Sequence, residues 1–417
     1  PWFIKTNQNQ IIDSNQHLKE FIIKLKELKS GKRKRLNIVH IGDSHIQCDW
    51  MSGQLRLLLQ DYFGAAGRGL IFPYSVAKTN GPIDVYSSSN VNWESRRNII
   101  PNPSHVPTGI SGFGLRTEKE YFYLKLGISS SSGTFNKITL IAPFSAFYPS
   151  FNICNIDDPD LLKGLSNNKK VYHTVKKGES LIQIASNYGV SIYEIRKWNG
   201  FRGSKVSVGR RLIIYQKNTD ENNFKSLPFN NVFTNQISIN PWAASYSLNG
   251  SFSEVYLIPD SLSPFQESLL FGAVLEDTTK SGILYHMIGV NGATHKSYFE
   301  SEFFFEQINT LKPDLIIVSL GTNESLGSQQ TINEMGPFME SFYYSLKSEC
   351  KGAGILITTP PDTYKKRKYK NLSTLQVRAQ QIDFAVKNNL AYWDLFKVMG
   401  GLGSMGKWGS AGLASKD

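Results

Sequence analysis

The run from Leu36 to His45 constrains the fold of this chain more strongly than any other segment. Its first six residues, apart from Asn37, are apolar or weakly polar and predict a buried strand, and Gly42-Asp43-Ser44 predicts a tight turn at its end. Residues 51–63 follow with a helical pattern. Such a junction can hold a hydroxyl clear of the sheet, beside the free backbone N–H groups of a helix start. This is the geometry that a serine nucleophile needs, and Ser44 is the candidate.

Strand-like apolar runs alternate with helical segments in two separated parts of the chain. In the first part, helical spacing over residues 17–28 precedes the strand that leads to Ser44. In the second part, the strand-like runs are 284–288, 315–320, 354–358 and 391–393, and the helical segments include 338–350 and 373–388. This alternation favours a parallel sheet with both faces covered. The sequence therefore predicts an α/β fold with a doubly wound parallel sheet, divided between residues 1–70 and 281–417.

Sequence of β-rich character separates these two parts. Short alternating or aromatic runs, such as 121–126, 137–141 and 254–258, lie between clusters of Ser, Asn, Gly and Pro, which predicts a β-sandwich. We assign residues 71–170 and 217–280 to this accessory module. Residues 171–216 interrupt it with a compact unit of strand, helix, helix and strand, in which Ser180 and Ser191 suit helix N-caps.

The composition narrows the class of partner. The net charge of +12 predicts an acidic partner, and we favour an anionic polymer. The basic run at residues 31–35 is interpreted as a solvated helix end rather than a nucleic-acid patch. Three widely spaced cysteines argue against a disulfide framework and against a zinc site. No apolar stretch reaches the roughly 18 residues that would predict a transmembrane helix.

Two further turns follow predicted strands and offer hydrogen-bond donors. Gly292, in the turn after residues 284–288, could present a backbone N–H, and Asn323, in the turn after residues 315–320, could present its side-chain amide. Alternatively, Gly292 serves a turn that needs a positive φ, and Asn323 forms an Asx turn. Because the carboxyl ends of strands in a doubly wound sheet share one crevice, the three turns together favour a nucleophile with an oxyanion hole.

These motifs together resemble those of the SGNH (GDSL-type) esterase superfamily. Gly42-Asp43-Ser44-His45 matches its first block, Asn291-Gly292-Ala293-Thr294 its second, and Gly321-Thr322-Asn323 its third. The resemblance implies that Ser44 is the nucleophile. It also implies that the Ser44 N–H, the Gly292 N–H and the Asn323 amide form the oxyanion hole. No metal and no cofactor are implied.

The last block of this family is Asp-x-x-His, which supplies the acid and the base of the triad. Residues 412–417 resemble the approach to this block, and Asp417 fits the acid position. The base histidine would fall three residues further on, so we expect a truncated chain, with a natural end as the alternative. The seven histidines present are interpreted as packing or surface residues. The chain as given should then be strongly impaired, because loss of a triad member costs several orders of magnitude in rate.

The compact unit at residues 171–216 resembles a LysM domain. Residues 175–181 match its opening, and Trp198-Asn199-Gly200 and 208–212 match its end. LysM domains bind glycans that contain N-acetylglucosamine, chiefly peptidoglycan and chitin. The resemblance places the groove between Gly178-Glu179-Ser180 and the turn after Trp198 and Asn199. The alternative is that these residues only hold the small fold together.

Together, the two resemblances imply a function. Peptidoglycan O-acetylesterases of the SGNH type carry a β-sandwich carbohydrate-binding module between the first and second blocks, and this chain is β-rich at that place, between Ser44 and Gly292. We therefore predict a bacterial serine esterase, periplasmic, in the cell envelope or secreted, that removes O-acetyl groups from peptidoglycan. The expected partner is peptidoglycan or another glycan containing N-acetylglucosamine, with no nucleic acid and no integral membrane segment. The alternatives are an acetylesterase or lipase for another polysaccharide or short-chain ester, and a non-catalytic wall-binding protein.

Overall fold

A six-stranded sheet forms the centre of the α/β part of this computed structural model, which describes residues 1–101, 106–144, 151–164, 169–188, 190–201, 203, 206–216, 224–260 and 267–414. In spatial order its strands are Ile11–Ile12, Ala391–Trp393, Gly354–Thr358, Leu315–Ser319, Arg35–Gly42 and Gly282–Gly289. All neighbours pair in parallel except Ile11–Ile12, which is antiparallel. The predicted α/β fold with a parallel sheet is confirmed.

Long helices cover both faces of this sheet, as its apolar strands require. Lys19–Lys29 and Trp50–Phe63 pack on one face, where Leu28 and Leu55 join the buried cluster that contains Ile38. The opposite face is covered by Gln329–Glu349 and Ser373–Lys387. The shorter helices are Ser44–Gln47, His295–Phe299, Phe304–Ile308, Thr322–Leu326, Leu395–Val398 and Ser404–Ser410. None of the described helices is both long and apolar enough to cross a bilayer.

The helix predicted at residues 338–350 begins nine residues earlier, at Gln329, so its predicted start was wrong. Proline normally breaks a helix because it lacks an N–H and clashes with the preceding turn, and Pro337 lies inside this one. Buried residues on both sides of the proline, Met335 and Met339 among them, hold the helix against the sheet. Tertiary packing therefore overrides the local signal.

Three antiparallel sheets form the β-rich part. The first contains Asn230–Asn231, Phe151–Asn155, Glu254–Pro259, Leu124–Ile128 and Val85–Ser89; the second Phe233–Asn240, Ala243–Phe252, Phe135–Ile141, Gly272–Glu276 and Gly69–Ile71; the third Ser268–Leu270, Phe113–Thr117 and Glu94–Arg97. Leu126 of the first sheet and Leu140 of the second belong to one buried cluster. The strand predicted from residue 121 begins only at Leu124, because the Tyr123 N–H donates to the Asn90 side chain instead of a neighbouring strand.

The compact unit has the predicted order of strand, helix, helix and strand. Lys169–Thr174 pairs antiparallel with Arg211–Gln216, and the helices are Leu181–Asn187 and Ile192–Asn199. Ser180 and Ser191 cap these helices, each in a reciprocal capping box. A small separate core, including Ile184, Ile195, Leu212 and Ile214, holds the unit together. A further short hairpin joins Tyr364–Lys365 to Tyr369–Lys370.

Candidate active site

The turn after the strand Arg35–Gly42 presents Ser44 to solvent. Asp43 caps the short helix that Ser44 begins, and its Oδ1 accepts a hydrogen bond from the His45 N–H at 3.0 Å. Asp43 is buried, whereas Ser44 is exposed. A Cβ at Gly42 would lie 2.3 Å from the Ile46 Cγ1, so only glycine allows the chain to turn this tightly.

The loop after the strand Gly282–Gly289 is attached to the same helix. The Asn291 N–H donates to the Gln47 Oε1 at 2.5 Å, and the Asn291 side chain donates to Asn80 at 2.7 Å. Gln47 in turn donates to the Asn80 carbonyl oxygen at 2.7 Å. Gly292, at the exposed tip of this loop, has a φ of +86° that favours glycine. The predicted second turn therefore lies beside the helix that carries Ser44.

The third predicted turn makes contact with both of the others. Asn323 lies at the start of the helix Thr322–Leu326 and is half-buried. Its amide nitrogen donates to the Ala293 carbonyl oxygen at 2.9 Å and lies 3.4 Å from the Asp43 Oδ2. Ser44, Gly292 and Asn323 are thus brought together at the carboxyl edge of the parallel sheet.

A buried pair, Glu324 and His295, fastens the second loop to the third. The Glu324 Oε1 accepts hydrogen bonds from the His295 N–H at 2.9 Å and from its Nδ1 at 2.7 Å, while the Oε2 accepts from the Gly321 N–H at 3.1 Å. Both side chains are almost completely buried. From the sequence, His295 is expected to be a packing or surface residue, and Glu324 has no predicted role. A glutamate three residues after Gly321, in the position of a capping box, was the available signal.

A second hydrogen-bonded network supports the strand ends beneath Ser44. His40 lies on the same strand, with its Nδ1 2.6 Å from the Tyr285 hydroxyl and its Nε2 2.7 Å from the Ser319 Oγ. The Thr358 hydroxyl donates to the same Ser319 Oγ at 2.8 Å. Burial lowers the pKa of His40 to about 3, so the ring is neutral at physiological pH. Four adjacent strands are linked through this one buried network.

His45 is the histidine nearest to Ser44 along the chain, and it is held by Asp43. Its Nδ1 lies 2.8 Å from the Asp43 Oδ1, and this hydrogen bond raises the pKa of His45 against the opposing effect of burial. The side chain remains 46% exposed. From the sequence, His45 is expected to be a surface or packing residue, and its contact with Asp43 is not predicted. Asp417, the predicted acid, and His105 lie outside the described residues.

In the compact unit, most predicted site residues form hydrogen bonds to other groups of the same unit. The Glu179 Oε2 accepts from the Lys176 N–H at 2.7 Å and lies 2.8 Å from the His173 Nε2; the pKa of Glu179 is lowered by the first of these contacts and then by the second. The Asn199 amide forms three hydrogen bonds of 2.7–2.8 Å to backbone groups of Ile195 and Ile213.

The remaining predicted residues of the unit differ in their contacts. Ser180 caps a helix. Gly178 has a φ of +87°, and nothing lies within 4 Å of a Cβ built there. Trp198 packs edge-on against Tyr215, with the ring centroids 5.3 Å apart. In the described part of the chain, no three His, Cys, Asp or Glu side chains form a group that could hold a metal ion.

Comparison with known protein families identifies the compact unit. Residues 173–214 match the family model of the LysM domain, which confirms the prediction for the compact unit. An autolysin of Enterococcus faecalis is 46% identical over 54 residues, which is 12% of this chain. The chain spans only 7% of the length of that relative.

Among solved structures, the one described as "Peptidoglycan O-acetylesterase in action, 5 min" matches with a TM-score of 0.66 and 17% identity. The match covers 98% of this chain and 92% of the other. The predicted resemblance is thereby confirmed at the level of the fold. A lipase/acylhydrolase from Enterococcus faecalis matches over 28% of this chain and 60% of its own, with 18% identity and a TM-score of 0.23.

Proposed function

We propose that this chain is a serine esterase that removes O-acetyl groups from peptidoglycan in the bacterial cell envelope. The observation that carries the proposal is the contact of Asn323 with both Asp43 and Ala293, which brings two predicted oxyanion donors to the turn of Ser44. An exposed serine beside such donors is suited to acyl transfer.

In the proposed reaction, the Ser44 Oγ attacks the acetyl carbonyl carbon and gives its proton to a histidine base. The oxyanion accepts hydrogen bonds from the Ser44 N–H, the Gly292 N–H and the Asn323 amide. The long 3.4 Å contact of Asn323 with Asp43 is the one that the oxyanion would replace. The sugar oxygen leaves with the proton, and water then releases acetate from the acyl-enzyme. We keep Asp417 as the proposed acid that orients the base.

The LysM match and the shared fold support peptidoglycan as the substrate. LysM domains bind this polymer, and the solved structure with the same fold is described as a peptidoglycan O-acetylesterase. A net charge of +12 suits a polymer that carries free carboxylates. The match to an autolysin supports a location outside the cytoplasm.

We propose that the esterase domain consists of residues 1–70 and 281–417, with a β-sandwich at 71–170 and 217–280 that carries the LysM domain at 171–216. The strand pairing supports this division, since Arg35–Gly42 pairs with Gly282–Gly289 across the whole β-rich part. Buried side chains shared by the two five-stranded sheets support the sandwich.

We further propose that the LysM groove lies between Gly178-Glu179-Ser180 and the turn after Trp198 and Asn199. Because Glu179, Ser180 and Asn199 make hydrogen bonds within the unit, their side chains would shape the turns. The backbone groups of the two turns would then bind the N-acetyl groups of the glycan.

The test is release of acetate from O-acetylated peptidoglycan. It uses a protein that extends through the histidine predicted three residues after Asp417, called the assay protein below. We expect Ser44→Ala to abolish release and Ser281→Ala, an exposed serine at the opposite edge of the sheet, to leave it unchanged. Faster release of acetate from acetylated xylan, or of the acyl group from longer esters, would favour the alternative of an acetylesterase or lipase with another substrate. Binding to peptidoglycan with no release from any ester would favour a wall-binding protein.

A further inference from the structure

The short hairpin that joins Tyr364–Lys365 to Tyr369–Lys370 is strongly basic, and we call residues 364–370 the basic hairpin. Its cations are Lys365, Lys366, Arg367, Lys368 and Lys370. Residues 366–370 are exposed. The Lys365 Nζ donates to the Ser373 Oγ at 3.1 Å, but none of the five cations forms an ion pair with a carboxylate that the structure describes. The charge of the basic hairpin is therefore available to a partner.

The basic run at residues 31–35 differs in this respect. The Arg33 Nε lies 3.3 Å from a Glu27 carboxylate oxygen, and Arg35 pairs with Glu276. Two of its four cations are therefore compensated within the protein. This run also lies at the amino edge of the parallel sheet, opposite to the candidate active site.

The place of the basic hairpin in the fold brings it close to the candidate active site. It follows the strand Gly354–Thr358 at the carboxyl edge of the sheet, which is the edge of Ser44. Leu315–Ser319 lies between this strand and Arg35–Gly42. Since neighbouring strands are about 4.8 Å apart, the strand that leads to the hairpin ends roughly 10 Å from the one that leads to Ser44.

Buried hydrogen bonds attach the base of the hairpin to the helix of Asn323. The Asn371 Nδ2 donates to the Ser325 Oγ at 2.9 Å and to the Thr363 Oγ1 at 3.0 Å. Asn371 and Ser325 are both completely buried, and Ser325 belongs to the helix Thr322–Leu326. The Asn371 N–H also donates to the Thr363 carbonyl oxygen at 3.1 Å. The basic hairpin is thus held in a defined position relative to a proposed oxyanion donor.

The hairpin also contacts the segment that leads towards the proposed acid. The Asp362 Oδ2 accepts a hydrogen bond from the Met405 N–H at 2.9 Å. Lys370 packs against Gly403, where a Cβ would lie 2.8 Å from the Lys370 Cε. With contacts to both neighbouring segments, the basic hairpin lies at the rim of the candidate active site.

The tip of the hairpin has a backbone conformation that disfavours its own residues. Lys366 and Arg367 have φ values of +52° and +55°, and the Lys368 N–H donates to the Lys365 carbonyl oxygen at 3.2 Å. Two successive positive φ values in a hairpin turn favour Asn-Gly, because these residues adopt the left-handed region most readily. Residues that break such a local rule are expected mainly at functional sites. Lys and Arg at these two positions favour charge over the stability of the turn.

We propose that the basic hairpin binds the peptide carboxylates of peptidoglycan and holds the polymer beside Ser44. The inference rests on the proposed function, since the bound polymer is the substrate. The Arg367 guanidinium can bind a carboxylate through two parallel hydrogen bonds, and the lysines act as point charges. Charges at the rim of a site speed association and are weakened by salt. The basic hairpin therefore gives the esterase a preference for an anionic polymer over a neutral one.

The test is acetate release by the assay protein from soluble O-acetylated peptidoglycan fragments whose peptides carry free carboxylates. The variant Lys366→Asn with Arg367→Gly removes two charges and supplies the residues that the turn favours, so its unfolding midpoint should be unchanged or raised. Its KM should rise about fivefold at an ionic strength of about 0.05 M, with kcat unchanged. At about 1 M salt, where the Debye length is about 3 Å, the difference should disappear.

The control variant, Lys32→Gln with Lys34→Gln, removes two exposed charges at the opposite edge of the sheet and should keep the KM of the parent. Amidation of the substrate carboxylates is the matching change in the ligand. It should raise the KM of the parent about fivefold and leave that of the hairpin variant unchanged. An equal KM for parent and hairpin variant, or an equal rise in the control, would overturn the proposal. An equal KM with lost binding to phosphatidylglycerol vesicles would make a membrane surface the partner instead.

A second measurement is independent of ester cleavage. A carbodiimide joins a carboxylate to a neighbouring lysine amine as an amide, with loss of water. In the full chain with Ser44→Ala, the same fragments should couple to Lys366 and Lys368 in preference to Lys32 and Lys34, as mapped by mass spectrometry. Equal coupling to both basic runs would overturn the hairpin proposal. Preferential coupling without acetate release by the parent assay protein would support the hairpin and overturn only the esterase proposal.

Discussion

Two buried histidines on adjacent strands of the parallel sheet have opposite surroundings. His40 and His286 are each 1% exposed, and burial lowers the pKa of each to about 3. Both ring nitrogens of His40 have partners, the hydroxyls of Tyr285 and Ser319. Those of His286 have none among the described residues. Because side chains alternate along a strand and Met287 is the register partner of His40, the two rings project to opposite faces.

The difference shows where buried polar groups are fully hydrogen-bonded within the protein and where they are not. Beneath Ser44, polar side chains hydrogen-bond to one another and link the three loops that meet at its turn. On the opposite face of the sheet, the ring nitrogens of His286 have the same burial but no partner among the described residues. Hydrogen bonding therefore distinguishes two histidines that are alike in burial and in pKa.

The largest effect on stability is expected from substitution of Glu324, which links the second loop to the third. Glu324→Ala leaves the His295 N–H, the His295 Nδ1 and the Gly321 N–H without their acceptor. Such a loss should lower the free energy of unfolding by about 3–5 kcal/mol. Denaturant unfolding measures it, with Glu334→Ala on an exposed helix face as the control. A loss equal to that of the control would show that the pair does not fasten the loops.

Asn323→Ala should come next, acting on catalysis. Removal of one oxyanion donor costs about 10²–10³ in kcat. The comparison uses acetate release by the assay protein, with Asn388→Ala, whose side chain donates to the Phe384 carbonyl oxygen, as the matched control. A kcat within threefold of the parent enzyme would remove Asn323 from the proposed oxyanion hole.

The two histidines themselves should respond in opposite directions. His40→Phe removes the hydrogen-bond partner of the buried Tyr285 hydroxyl and one of the two partners of the Ser319 Oγ, and should destabilise the protein by about 1–3 kcal/mol. His286→Phe removes two unpaired atoms and should be neutral or stabilising. Denaturant unfolding of both variants in parallel provides the measurement. Equal destabilisation by the two substitutions would contradict the comparison.

The smallest effect is expected at His45, which is half-exposed. Its hydrogen bond to Asp43 raises its pKa in the folded state, so the stabilisation is fully present below about pH 6.5 and is lost as the pH rises through the raised pKa. An exposed ion pair contributes about 0.2–1 kcal/mol. Unfolding of His45→Ala between pH 5 and 9 should lack this component. A variant with the full pH dependence of the parent would show that the pair contributes nothing.

Much of the candidate site follows from the sequence, because parallel strands place their carboxyl ends at one edge. That rule alone predicted that Ser44, Gly292 and Asn323 would meet. It could not predict the bond between Glu324 and His295, since their partnership depends on how two loops dock. It could not predict the cavity of about 890 Å³ that Asn37 and Ser245 help to line either, because these residues lie in separate sheets and only tertiary packing brings them together. Tertiary packing also decides the extent of a single helix, since Gln329–Glu349 continues through Pro337 although the sequence predicts a start at residue 338.

The most direct measurement is covalent labelling of the assay protein with a fluorophosphonate, mapped by mass spectrometry. The account predicts a single modified residue, Ser44, with a rate that falls about a hundredfold in Asn323→Ala and stays unchanged in His286→Phe. Labelling of another residue, or labelling of Ser44 at the same rate in Asn323→Ala, would contradict it.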